Sequence, residues 1–234
     1  MGRLNRLRRF SQGRLRVLAT QWGLPGLLVV GLILSVNSVV KADPAPSGSE
    51  LSAYLQSNKL EVATDIQNGY QQVYYTYKNQ KIFITNDSFN HAYAAASGAY
   101  VVWEGTTSLG GQIFMYNILS KSLLQLTSTG TNEEPYIHQN QVVWRAWDGI
   151  HWQIYYYDGL TIKQVTSGLS SSVHGSTDGK QIIYAEQLAP SDWKAQAYDI
   201  ATTTTHTLRE GDEATTAFPS LDGSGGVITR FIPF

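Results

Sequence analysis

Two short stretches carry the residues best suited to recognising another molecule. Trp147-Asp148-Gly149-Ile150-His151-Trp152 gathers two indoles, an acid and an imidazole, and Pro190-Ser191-Asp192-Trp193 repeats the pairing of acid and indole further along. An indole offers broad, rigid area at low entropic cost. On a loop it suits stacking on sugar rings or packing on protein side chains. Each stretch has acids upstream or downstream of it, Glu133-Glu134 and Glu210-Gly211-Asp212-Glu213. If one face gathers them, it combines exposed Trp with clustered carboxylates. A blander reading stays open beside this one. Trp on hairpins also folds back over its own strands, and adjacent loop acids are by default a solvated surface.

Other chemistry finds little support. The five histidines (His91, His138, His151, His174, His206) are dispersed, without a His-x-x-x-His or His-x-His set. No Asp-x-Asp-x-Asp-Gly calcium loop and no Gly-x-Ser-x-Gly nucleophile elbow occurs. Ser176-Thr177-Asp178-Gly179 resembles an Asp-box but lacks its Trp, and beyond residue 42 the only arginines are Arg145, Arg209 and Arg230. The chain has no cysteine, which rules out disulfides and thiolate zinc sites. No catalytic residue, metal ligand set or cofactor site is therefore assigned.

The elements that would hold these loops are written in a repeat of about 40 residues. Val101-Val102-Trp103 returns as Val142-Val143-Trp144 and as Ile182-Ile183-Tyr184. Ile113-Phe114-Met115-Tyr116 returns as Ile154-Tyr155-Tyr156-Tyr157, and Leu126-Thr127-Ser128 as Val165-Thr166-Ser167. The clearest unit predicts four strands, around 135–138, 141–147, 153–157 and 162–167, with Asp148-Gly149 and Asp158-Gly159 in its turns. Similar units run over about 90–128 and 173–209. A fainter one includes Val73–Tyr77 and Ile84-Thr85. An echo of Ala92-Tyr93 at Ala53-Tyr54 extends that unit back to residue 50, as a full set of strands. The cycle restarts at Ala217–Gly223, with a second strand at Val227–Arg230. Short sheets of this kind bury their apolar faces only by stacking on one another. Trp103, Trp144 and Tyr184 are expected in those seams.

Residues 1–42 differ from the rest. Six arginines (Arg3, Arg6, Arg8, Arg9, Arg14, Arg16) precede a mostly apolar run at 24–40 and then Val40-Lys41-Ala42. Basic, apolar and small residues in that order form a secretory signal or, uncleaved, an N-terminal membrane anchor. Residues 43–49 read as a Pro/Gly/Ser linker, and 50–234 as the repeats. The near-zero formal charge of −1 hides an asymmetry, because every acid lies beyond residue 42. The exported part is thus net negative and ill suited to phosphate backbones, so nucleic acid is not an expected partner. Membrane contact is expected only through 24–40.

Glu134-Pro135-Tyr136-Ile137, Val142-Val143-Trp144, Ile154-Tyr155-Tyr156-Tyr157-Asp158 and Val165-Thr166 together resemble the TolB-like (WD40-like, PD40-type) repeat of exported and periplasmic proteins. Ser176-Thr177-Asp178-Gly179 with Ile182-Ile183-Tyr184 and Tyr198-Asp199-Ile200 resembles it again, so most of 73–230 is covered. The resemblance implies an all-β propeller of four-stranded antiparallel blades, here about four to four and a half. Two closures are open. One is an incomplete arc. The other is a minimal ring in which the last half-unit pairs with strands at 73–77 and 82–86. The expected function is an exported, non-catalytic module binding an envelope protein or polysaccharide through Glu133, Glu134, Trp147, Asp148, His151, Trp152, Asp192 and Trp193. The alternatives are a carbohydrate-active enzyme or lectin, or the propeller part of a larger enzyme.

Overall fold

The computed structural model describes residues 45–190, 192–209, 215–221 and 227–233, the last two by backbone alone. The signal or anchor expected at 1–42 and the acids at 210–213 lie outside the described residues. No helix among the described residues is long and apolar enough to cross a membrane.

Three antiparallel sheets follow the predicted unit closely, and each is one blade. The second blade is β4 (His91–Ser97), β5 (Tyr100–Thr107), β6 (Gly110–Asn117) and β7 (Ser122–Gln125). The third is β8 (Asn132–His138), β9 (Gln141–Trp147), β10 (Trp152–Tyr157) and β11 (Ile162–Gln164). The fourth is β12 (Ser172–Thr177), β13 (Gln181–Ala189), β14 (Asp192–Asp199) and β15 (Thr204–Arg209). The hairpin β16 (Thr215–Leu221)–β17 (Val227–Pro233) joins that sheet through a parallel pair, Trp193↔Thr216.

The first blade departs from expectation. It has three strands, β1 (Val62–Gln67), β2 (Tyr70–Tyr77) and β3 (Gln80–Phe83), and residues 48–55 form the helix α1 (Gly48–Leu55) instead of a strand. The cause is local. Ser47 is the N-cap, and its hydroxyl accepts from the Glu50 N–H while the Glu50 carboxylate accepts from the Ser47 N–H, a closed capping box. The helix thus begins inside the segment read as a linker. Its Leu51 is buried with Val73, Tyr75 and Tyr77, and Tyr54 meets Tyr77 edge-on at 5.1 Å. Among the described residues β16 and β17 do not pair with β2 or β3, so the minimal four-blade ring is not formed and the described blades make an open arc.

The doubled apolar residues of each second strand have a simple origin. Val101, Val102, Val142, Val143, Ile182 and Ile183 are all fully buried. Side chains alternate between the faces of a strand, and both faces of a central blade meet a neighbour, so an alternating polar pattern would fail. Val101 and Trp103 pack toward the first blade. Val102 packs against Val142 and Trp144, and Val143 against Ile182 and Tyr184. Trp103, Trp144 and Tyr184 are buried as expected. At one seam the approach is so close that a Cβ on Gly175 would lie 2.5 Å from Val143 Cγ1.

A polar device recurs with the same period. Thr85, Thr127 and Thr166 accept the N–H of Val73, Ile113 and Ile154 through their hydroxyls, at 2.8–2.9 Å. Beside each lies a buried amide, Gln72, Gln112 or Gln153, whose Nε2 donates to a carbonyl of the inter-blade link: Phe89, Gly130 and Gly168 respectively. These amides satisfy link backbone that would otherwise be buried unpaired. They fix the links that carry the site.

Candidate functional site

The first strands of successive blades, β4, β8 and β12, lie against one another, so they are the innermost. Each carries a bulge at the same place, between Ala92 and Ala95, Glu133 and Tyr136, and Val173 and Ser176. At each bulge a residue with a side chain takes a left-handed backbone: Tyr93 (φ 51°), Glu134 (φ 54°) and His174 (φ 56°). Such strain concentrates where a side chain must be re-aimed. Here it turns Glu134 and His174 toward each other across two blades, with His174 Nδ1 3.3 Å from Glu134 Oε2.

Arg145 organises the rest. It follows Trp144 on β9 and sits directly across from Glu133 on β8. Its guanidinium donates to Glu133 at 2.7 Å and lies 3.1 Å from Glu134. The same group stacks over Trp152, 4.4 Å from the ring centre, and Trp152 meets Trp147 edge-on at 5.4 Å. An arginine held flat between carboxylates and an indole is fixed in orientation as well as charge. Trp147 remains 42% exposed above it.

Glu104 occupies on β5 the place Arg145 has on β9. Burial pushes its carboxyl up to about 7, with the charge of Glu133 adding to the effect. The Glu134 N–H and Arg145 pull the other way without prevailing. Burial also raises Glu134, but its contact with His174 and the charge of Arg145 outweigh this and leave it below the usual carboxylate range.

The eight expected residues thus divide. Glu133, Glu134, Trp147 and Trp152 converge around Arg145. Asp148 is committed to its own turn, where Oδ1 accepts from the N–H of Ile150 and of His151 and Oδ2 from Gln153. Those backbone bonds hold its carboxyl below the usual range. His151 lies in the same turn. Asp192 and Trp193 open β14 on the neighbouring blade, where Trp193 faces Gln187 across the hairpin. Arg145, Glu104 and His174 were not among the expected set. The signal for the first two is their shared position, directly after the Trp of the repeat. His174 has no sequence mark, since its place depends on the bulge. Among the described residues no group of three or more His, Asp or Glu side chains is arranged to hold a metal ion.

No protein-family model and no curated protein matches the sequence. Solved structures do match. The putative TolB from Agrobacterium tumefaciens is 15% identical with a TM-score of 0.54, over 75% of this chain and 71% of that one. TolB from Acinetobacter baumannii is 16% identical with a TM-score of 0.51, over 75% of this chain and 52% of that one. The β-propeller domain of the Trilobed protease from Pyrococcus furiosus, described as having an open velcro topology, is 15% identical with a TM-score of 0.51, over 65% of this chain and 49% of that one. The chain spans about half the length of the last two. Two of these similar structures are TolB proteins and the third is the propeller of an enzyme, so the likeness bears on architecture. The stacked four-stranded blades of this chain have the TolB-like β-propeller fold.

Proposed function

We propose that this chain is an exported, non-catalytic propeller that binds an envelope protein or polysaccharide through the face around Arg145. The observation that carries the reading is Trp147, exposed beside an arginine already locked by Glu133, Glu134 and Trp152. Aromatic and arginine anchors on a rigid base are the usual source of binding energy, because little entropy is lost when they engage. The basic–apolar–small order of residues 1–42 supports export, and the TolB-like fold is compatible with an envelope setting. Nucleic acid is not part of this reading, given where the acids lie.

The test is joint replacement of Trp147, Trp152 and Trp193 by Ala. The parent chain is expected to retain a defined envelope protein or polysaccharide fraction that the triple variant releases. Equal retention by both would remove this face as the contact surface. A second reading, a carbohydrate-active enzyme, is favoured by Glu104, since a part-buried carboxyl pushed up beside a second carboxyl, that of Glu133, suits a general acid. It predicts turnover of a polysaccharide that Glu104→Gln abolishes; binding without turnover would exclude it.

A further inference from the structure

A groove of about 450 Å³ opens between the link after the first blade and the face of the second. This is within the range of small-molecule sites. Its walls include Phe89, Trp103, Phe114 and Tyr116, and its inner end holds His91 and Gly105. Trp103 stacks on Phe114 at 5.8 Å, with the planes 14° apart.

Two polar atoms at that inner end have no partner, although their residues are only 6% and 2% exposed: His91 Nδ1 and Trp103 Nε1. Their state is specific to this blade. One period on, Trp144 stacks on Tyr155 in the same way, but its Nε1–H donates to Asn132 Oδ1 at 3.1 Å. His91 stands where Asn132 does and does not close that bond. Its Nε2 instead faces Asp87 Oδ1 at 3.1 Å. A carboxylate only accepts, so Nε2 carries the proton, and in the neutral ring Nδ1 is an acceptor. Gly105 replaces Ala146. A Cβ there would come 2.8 Å from Phe114 and 3.0 Å from His91 Nδ1, so glycine lets the Phe114 ring and the imidazole close on this strand.

A buried donor and a buried acceptor left unpaired, in two rings whose centres are 6.2 Å apart, are costly unless something fills both. We infer that this groove binds a neutral planar ring bearing a hydroxyl, a phenol in its simplest form. The ring lies among Phe89, Phe114 and Tyr116. The hydroxyl donates to His91 Nδ1 and accepts from Trp103 Nε1–H, a pairing that a single hydroxyl can complete. The site is separate from the Arg145 face and independent of what binds there.

The test uses the full chain at pH 8, labelled with ¹⁵N, titrated with p-cresol and followed through its indole N–H resonances; Trp103→Phe identifies the Trp103 signal. The Trp103 signal is expected to shift saturably. Toluene, which lacks the hydroxyl and makes neither hydrogen bond, is expected to bind about tenfold more weakly or worse. His91→Asn supplies the partner that Trp144 already has, so the variant should fold at least as stably and lose affinity for p-cresol by about tenfold or more. Phe89→Ala, at the exposed rim, provides a second variant that spares the core and should weaken binding several-fold. The inference falls if the Trp103 signal is unmoved at roughly 10 mM p-cresol, a generous ceiling for so small a ligand. It also falls if toluene or methyl glucoside binds as well as p-cresol, or if His91→Asn and Phe89→Ala bind like the parent.

Discussion

The second and third blades are built on one plan, with matching strands, registers, bulges and stacked aromatic pairs, and they end in opposite electrostatic and packing states. In the third blade Trp144 is hydrogen-bonded to Asn132, and Arg145 is neutralised by Glu133 and Glu134. In the second, Trp103 has an idle N–H, Glu104 replaces the arginine, and Gly105 replaces Ala146 on the wall of a groove lined by His91, Trp103 and Phe114. Three positions of one repeat, 91, 104 and 105 against 132, 145 and 146, therefore account for most of the difference. The seam residues stay apolar in both because each faces two neighbours. The ends of the strands are free of that constraint, and there the copies have diverged. A repeat fold thus separates its tasks: the buried pair holds the stack, while the residues after it set what each blade offers.

The comparison is tested most severely at the two indoles. Trp144→Ala removes a buried ring and orphans Asn132, at a cost of about 4 kcal/mol, whereas Trp103→Ala, beside an existing groove and with no bond to lose, should cost about 1 kcal/mol less. Urea denaturation of both variants decides this, and an equal or reversed order would mean the hydrogen bond has no bearing on stability. Next in size is Arg145→Ala. It leaves two part-buried carboxylates facing each other and should cost about 2 kcal/mol, less than for a fully buried pair because water reaches the site. The same change is expected to weaken binding by the Trp147 face, through loss of the support under Trp152. Unchanged near-ultraviolet circular dichroism would argue that the indoles hold themselves. A smaller step converts one blade into the other: Asn132→His should strand the Trp144 N–H and cost about 1 kcal/mol. If that variant is as stable as its parent, the His91 arrangement is not the idle state described here.

How much of this is written in the sequence depends on the kind of constraint. Val142-Val143-Trp144 is legible because burial on both faces demands it, and Asp148-Gly149 because its turn demands it; β8 to β11 accordingly fall where the pattern puts them. The helix at Gly48–Leu55 is legible too, in Ser47-x-x-Glu50, but the Ala53-Tyr54 echo points to a strand. Two matching residues weigh less than a closed capping box, because the box satisfies backbone donors outright. Gln72, Gln112 and Gln153 keep the period as faithfully as the apolar pairs. A polar residue in a strand reads as solvent-facing until its link is placed above it. Tyr93, Glu134 and His174 carry no mark at all, since non-glycine residues with positive φ are chosen by the sheet around them. Arg145 joins Glu133 only through the register of β8 on β9, and Trp152 only through that of β9 on β10.

The subtlest difference between the blades is a proton. Glu104 in the folded chain titrates near 7, above its value in the unfolded chain, so between about pH 4.5 and 7 the folded state binds more protons than the unfolded one. Stability must then fall as pH rises through that window and level off above it. The group is only part-buried, so the loss is of order 1 kcal/mol, well short of the full value of the shift. Glu104→Gln keeps an acceptor for the Glu134 N–H and removes the titration. Its denaturation midpoint should match the parent's near pH 4.5 and exceed it at pH 8. Glu133→Gln, which removes the neighbouring charge, should move the parent's transition toward lower pH without abolishing it. If Glu104→Gln leaves the pH profile of the parent intact, the carboxyl is ionised like any surface acid, and the second blade differs from the third in packing alone.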